Sequence, residues 1–271
     1  MSDLPTTEKK RLGIFKFASC DGCQLSLLSC EEELLALAEK VEIAHFLEAS
    51  SCTLPGPFDL ALVEGSISTS EDVGRIREIR RQSRSLVTIG ACATSGGIQS
   101  LRNWADHDEY LRYVYPHPDY IDSLATSTAI SDHVTVDFEL RGCPVDKYQL
   151  LEVVMAFVHG RRPNIPGHSV CLECKRRGTI CIAVTEGKPC LGPITQAGCG
   201  AICPAYHRAC YGCFGPCAQA NPASLSEHYL ADGTTSLQMI HQLRNVNAAA
   251  GLFQIESNRI EAKSLSARSH S

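Results

Sequence analysis

The chain has 271 residues, 44% of them hydrophobic, enough for a sizeable core in one large domain with a smaller one beside it. Lys+Arg 25 against Asp+Glu 30 leaves a net charge of -5, and no stretch gathers the basic residues and interleaved aromatics of a nucleic-acid groove, which argues against a nucleic-acid partner. No segment is apolar and long enough for a signal peptide or a membrane span, and no twin-arginine export signal stands out, so the expectation is a cytoplasmic protein.

In chain order, the first part reads as alternating strands and helices. Leu12 to Ala18 is a short apolar run ending at a polar Ser-Cys-Asp-Gly turn, and Gln24 to Lys40 then carries leucines at helical spacing. Strand-like Val41 to Phe46 and Leu60 to Val63 follow, then the charged amphipathic helix Glu71 to Ser83, the apolar run Leu86 to Ile89 and a glycine-bearing turn. Val134 to Leu140 alternates like a strand, and Asp146 to His159 reads as a helix behind a Cys-Pro turn. This alternation predicts a flavodoxin-like doubly wound α/β domain over residues 1–163, a parallel sheet with helices on both faces. Arg161 to Gly167, RRPNIPG, breaks the helical pattern and opens a smaller, irregular and helical domain over residues 164–271. Within it, residues 223–249 show leucines and Ile240 at helical spacing around an Asp232-Gly233 break. After Glu256 the chain turns polar and is expected to fray.

Fifteen cysteines are the loudest chemical signal. In a reducing compartment a cysteine-dense chain more often holds metal than disulfides, and an odd count would leave one thiol unpaired. Cys20 and Cys23 follow the first predicted strand, Cys92 the strand ending at Ile89, and Cys143 the strand ending at Leu140. All four fall at carboxyl ends of strands, the edge where ligands bind in open α/β sheets. Each alone reads as a buried small hydrophobe, but together they make a closed soft-ligand site for zinc or an iron-sulfur cluster. The small residues of GACATSGG favour the bulkier cluster, since they let backbone amides approach sulfur. Cys30, placed inside a predicted helix, and Cys52 read as core thiols.

Nine further cysteines lie between Cys171 and Cys217, in CLECKRRGTIC, PCLGP, GCGAICP and CYGCFGPC. The pairs Cys171 with Cys174 and Cys210 with Cys213 have the spacing of cluster or zinc-ribbon ligands. Two four-thiolate sites would use eight of the nine, with Cys217 as the spare. Lys175, Arg176 and Arg177 either offset thiolate charge beside a metal or form a solvated turn.

The ordered set CDGCQLSLL, VEGSIST, GACATSGG, RGCPVD, CLECKRRG, GKPCLGP, GCGAICP and CYGCFGP resembles the small subunit of nickel-iron hydrogenases, in the cytoplasmic sulfhydrogenase or bidirectional NAD(P)-linked branch, over residues 11–217. The resemblance implies three 4Fe-4S clusters. The proximal one would be held by Cys20, Cys23, Cys92 and Cys143, and the distal one by Cys171, Cys174, Cys181 and Cys190. The medial one would take Cys199, Cys203, Cys210 and Cys213, with Cys217 as the alternative to Cys199. Glu64 would lie beside the proximal cluster at the subunit interface. The membrane-bound uptake enzymes have a histidine ligand on the distal cluster and a three-iron medial one. Here Cys171 stands in the place of that histidine, and Cys199 supplies a possible fourth medial thiol. The implied partners are a large subunit that splits hydrogen at nickel-iron and a flavin-bearing NAD(P)-linked diaphorase with its iron-sulfur subunits. Two other readings stand beside this one. A complex-I-type quinone oxidoreductase subunit would have adjacent cysteines in its first motif and no cysteine-rich segment after the sheet. A zinc-stabilised assembly or interaction module would carry no redox chemistry.

Overall fold

The computed structural model describes residues 9–268. A five-stranded, wholly parallel sheet is built from β1 (Lys10–Lys16), β2 (Val41–Phe46), β3 (Phe58–Glu64), β4 (Ser83–Ile89) and β5 (Phe138–Leu140), in the order β2-β1-β3-β4-β5. That is the flavodoxin-like order. The strands read as continuous apolar runs because both faces are covered. Leu12, Ile14, Leu60, Leu62, Val87 and Ile89 point to one side, under α1 (Gly22–Leu28), α2 (Glu32–Lys40) and α6 (Lys147–Val158). Phe15, Ala61, Val63 and Leu86 point to the other, under α3 (Ser70–Arg81) and the short α4 (Gly90–Ser95). Between α4 and β5 runs a long excursion that includes α5 (His107–Val114), a helix with no buried residue.

Local chemistry sets the helix starts. Thr69 and Asp72 form a reciprocal capping box at α3, each side chain accepting the other's backbone N–H at 3.1 Å. Asp146 caps α6 by accepting the N–H groups of Tyr148 and Gln149 at 3.1 and 3.0 Å, which accounts for the acid that ends the RGCPVD motif.

Past residues 161–167, which belong to no helix or strand, come α7 (Val170–Arg176), α8 (Ile182–Glu186), α9 (Ile202–Ala205), α10 (Pro222–Ala231), α11 (Ser236–Leu243) and α12 (Gly251–Arg268). Leu191, Tyr229, Met239, Leu243, Phe253 and Ile260 pack into a core of their own. No helix among the described residues is long and apolar enough to cross a membrane.

Three sequence expectations need correction. The helix expected over Gln24 to Lys40 is two helices, because Glu31 takes a positive φ of 38° and breaks it. Cys30 therefore sits in the turn between them, still fully buried. The strand expected over Val134 to Leu140 shortens to its last three residues. Of the end expected to fray after Glu256, residues up to 268 belong instead to an 18-residue helix, with Glu256, Ser257 and Ile260 buried, and 269–271 lie outside the described residues. Glu256 is tolerated there because Arg259 donates to both of its oxygens at 2.7 Å.

Candidate functional site

The connections from β1 and β3 leave to opposite faces of the sheet, so a crevice opens at their carboxyl ends, the topological switch point. Cys20 and Cys23 follow β1, Cys92 lies on α4 directly after β4, and Cys143 follows β5. Glu64, the last residue of β3 and 1% exposed, accepts the N–H groups of Cys23 and Gln24 at 3.0 and 3.2 Å. It thereby fastens the Cys20–Cys23 loop to the sheet edge. Burial pushes its carboxyl above the ordinary carboxylate value.

Backbone approaches sulfur closely at this edge. A Cβ on Gly90, at φ +86°, would overlap Cys23 Sγ, and one on Gly97 would stand 2.6 Å from Cys92 Sγ. Gln99 joins the loops, donating through Nε2 to Ala18 O at 2.7 Å and to Ser66 Oγ at 3.1 Å. Desolvation raises the thiol of Cys92 to about 11 and also raises Cys23 and Cys143, with the neighbouring cysteines adding to the shift in each case. Thiolates gathered here are stable only with a positive body between them, which is the donor chemistry of a bound metal cluster.

The C-terminal thiols form two further groups. Cys171 and Cys174 lie three residues apart on α7, and Cys181 caps α8. A Cβ on Gly192 would be 3.4 Å from both Cys171 Sγ and Cys190 Sγ, so these sulfurs face one spot. Burial first, and then the charges of Cys190, Cys174 and Cys181, lift the Cys171 thiol to about 11. Burial first, with the charges of Cys199, Cys203 and Cys143 after it, likewise takes Cys213 to about 12. The backbone at Ala201 and Ile202 offsets part of the rise at Cys199, and the backbone at Gly212 part of that at Cys210. Such donors stabilise thiolate sulfur and tune a metal centre from its second layer. Cys210 also touches the neighbouring group, its N–H lying 3.2 Å from Cys190 Sγ.

Cys213 senses the charge of Cys143, and Cys174 that of Cys199, so the thiols of Cys199–Cys213 are within electrostatic reach of both the sheet-edge thiols and those of α7. Among the described residues, no three or more His, Cys, Asp or Glu side chains close tightly enough to hold a single metal ion.

The remaining cysteines stand apart. Cys52, expected in the core, is exposed, because it lies in the loop between β2 and β3 outside both sheet layers. Cys217 is buried with its sulfur 4.0 Å from Pro193 O. Lys175, Arg176 and Arg177 are exposed; Lys175 lowers the Cys171 thiol slightly, and Arg177 donates to Gly200 O at 2.9 Å, tying α7 to the Cys199–Cys203 loop. Gln99 carried no signal in the sequence, since its partners Ala18 and Ser66 are remote in the chain.

A family model described as NADH ubiquinone oxidoreductase, 20 Kd subunit, matches residues 20–157. Sulfhydrogenase 2 subunit delta of Pyrococcus furiosus is 37% identical over 217 residues, covering 80% of this chain and 91% of its own. One component of the F420-non-reducing hydrogenase of Methanocaldococcus jannaschii is 32% identical, over 76% of this chain and 81% of its own. Among solved structures, a chain of an NAD+-reducing [NiFe]-hydrogenase in the H2-reduced state superposes with a TM-score of 0.54 at 30% identity, over 59% of this chain and 96% of that one. With the thiol groups at the sheet edge described above, these likenesses place the chain in the family of nickel-iron hydrogenase small subunits, on its sulfhydrogenase and NAD-reducing side, as a subunit of a hydrogenase.

Proposed function

We propose that this chain is the electron-transfer subunit of a cytoplasmic hydrogenase and holds three 4Fe-4S clusters. Cys20, Cys23, Cys92 and Cys143 hold the proximal cluster, Cys199, Cys203, Cys210 and Cys213 the medial, and Cys171, Cys174, Cys181 and Cys190 the distal. The observation that carries this reading is the close gathering of thiols, at the sheet edge against Gly90 and Gly97 and in the second unit around Gly192, where Cys210 N also lies 3.2 Å from Cys190 Sγ. When bound, such clusters accept and release one electron at a time.

The chain's own residues supply spacing, dryness and charge. Glu64 and Gln99 hold the proximal loops in place, and Gly90 and Gly97 bring backbone against Cys23 and Cys92. The large subunit, with the nickel-iron site, docks on the proximal side. A flavin-bearing NAD(P)-linked diaphorase docks on the distal side, where Cys181, Ile180 and Val184 are exposed. All-cysteine ligation lowers a cluster's potential relative to histidine ligation, which suits a nicotinamide acceptor. Residues 1–163 then form the domain of the proximal cluster and 164–271 that of the other two. A chain this rich in cysteine accords with a reducing compartment.

Iron and zinc content per chain after anaerobic purification tests this, with low-temperature electron paramagnetic resonance of the reduced sample. Three four-iron clusters require about twelve irons and interacting signals. About four irons with zinc present would leave the proximal cluster alone and turn the C-terminal segment into a zinc module.

A further inference from the structure

We infer that Asn247 is a positioning residue that sets the spacing between the proximal and medial thiol groups, a reading that rests on the relay proposed above. Asn247 lies between α11 and α12, remote in sequence from every cysteine before it, and is 2% exposed. Its Nδ2 donates to the carbonyl oxygens of Gly212 and Cys213 at 2.9 and 3.0 Å. Those two acceptors fix the amide's orientation and leave Oδ1 to accept from Ser95 Oγ at 2.7 Å. Ser95 is three residues past Cys92 on the one short helix that carries it, and its single hydroxyl proton is shared between Asn247 Oδ1 and Ala91 O, 2.8 Å away. One buried amide therefore spans from the Cys92 helix to the backbone of Cys213, the medial thiol that senses Cys143.

This bridge joins the two units through hydrogen bonds made in a dry site, where geometry is held firmly. The units are also joined elsewhere. Arg244 stacks on Trp104 with 4.7 Å from guanidinium carbon to ring centre, and Trp104 Nε1 donates to Asn258 Oδ1 at 2.8 Å. Loss of Asn247 therefore leaves the units docked while releasing the Cys92 helix from Cys213. Electron transfer between centres weakens steeply with separation, so a small slackening here is read out by the relay before it is read out by the fold.

The test uses the hydrogenase assembled with its large subunit, carrying Asn247→Ala or the isosteric Asn247→Asp, which loses both donors to carbonyl oxygen. Iron content and isotope exchange between hydrogen and deuterated water, a reaction of the partner's nickel-iron site, are expected to stay at wild-type level. The paramagnetic splitting between neighbouring reduced clusters is expected to change, and hydrogen-dependent dye reduction to fall relative to exchange. Wild-type splitting with an unchanged ratio of dye reduction to exchange in both variants would overturn the assignment. If both variants lose iron, Ser95→Ala decides, because it keeps the two bonds to Gly212 and Cys213: a changed splitting supports the clamp, and an unchanged one overturns it. Absence of interacting signals in the wild-type complex would instead sink the relay itself.

Discussion

At the scale of single residues, the proximal set depends on burial as much as on identity. Cys92 is held on α4 by a backbone that leaves no room for a Cβ at Gly97, so a substituted side chain cannot shift to compensate for a lost sulfur. Cys92→Ser in a correctly assembled complex should cut hydrogen-dependent dye reduction by more than the roughly 10–100-fold typical of losing an outer-layer partner. Wild-type activity in that complex would refute Cys92 as a ligand. Cys20, Cys23, Cys92 and Cys143 were legible in the sequence because each follows an apolar strand and the edge of such a sheet is predictable. Cys52 was misjudged for a related reason: composition cannot distinguish a buried thiol from one on a loop. Asn247 was invisible, since nothing in a polar NVN run announces a partner at Ser95, 152 residues away.

At the scale of elements, strands and capped helices follow local rules, and the elements that departed from expectation are those that tertiary contacts override. α12 has no apolar stripe in its sequence, yet Phe253 and Ile260 reach the C-terminal core, and the Arg259 pair neutralises buried Glu256. Phe253 is 1% exposed. Phe253→Ala should destabilise the protein by roughly 3–5 kcal/mol, the usual cost of truncating a buried phenylalanine. An unfolding free energy lowered by less than about 1 kcal/mol in denaturant titration would show that α12 is not integral to that core. The break at Glu31 is the converse case, a local backbone turn inside a run whose leucine spacing reads as one helix.

At the scale of the whole molecule, the two units are held together by different means. The sheet has two apolar layers of its own, whereas the core around the distal thiols counts Cys190 and Cys210 among its few buried members. Iron that ligates those thiols would then be part of what folds the segment. Stripping the iron with a chelator should raise amide hydrogen exchange first over residues 168–217, while β1, β3 and β4 stay protected. Equal loss of protection in the sheet and the segment would show that the fold does not divide in this way. The sequence by itself determined the alternation of strands and helices, the sheet edge that carries the first four thiols, and the family, because apolar periodicity and short motifs are local quantities. Only the tertiary structure decided the buried α12 and the Asn247 bridge. Each of these depends on which distant segments share one dry interior, and neighbouring residues carry no record of that.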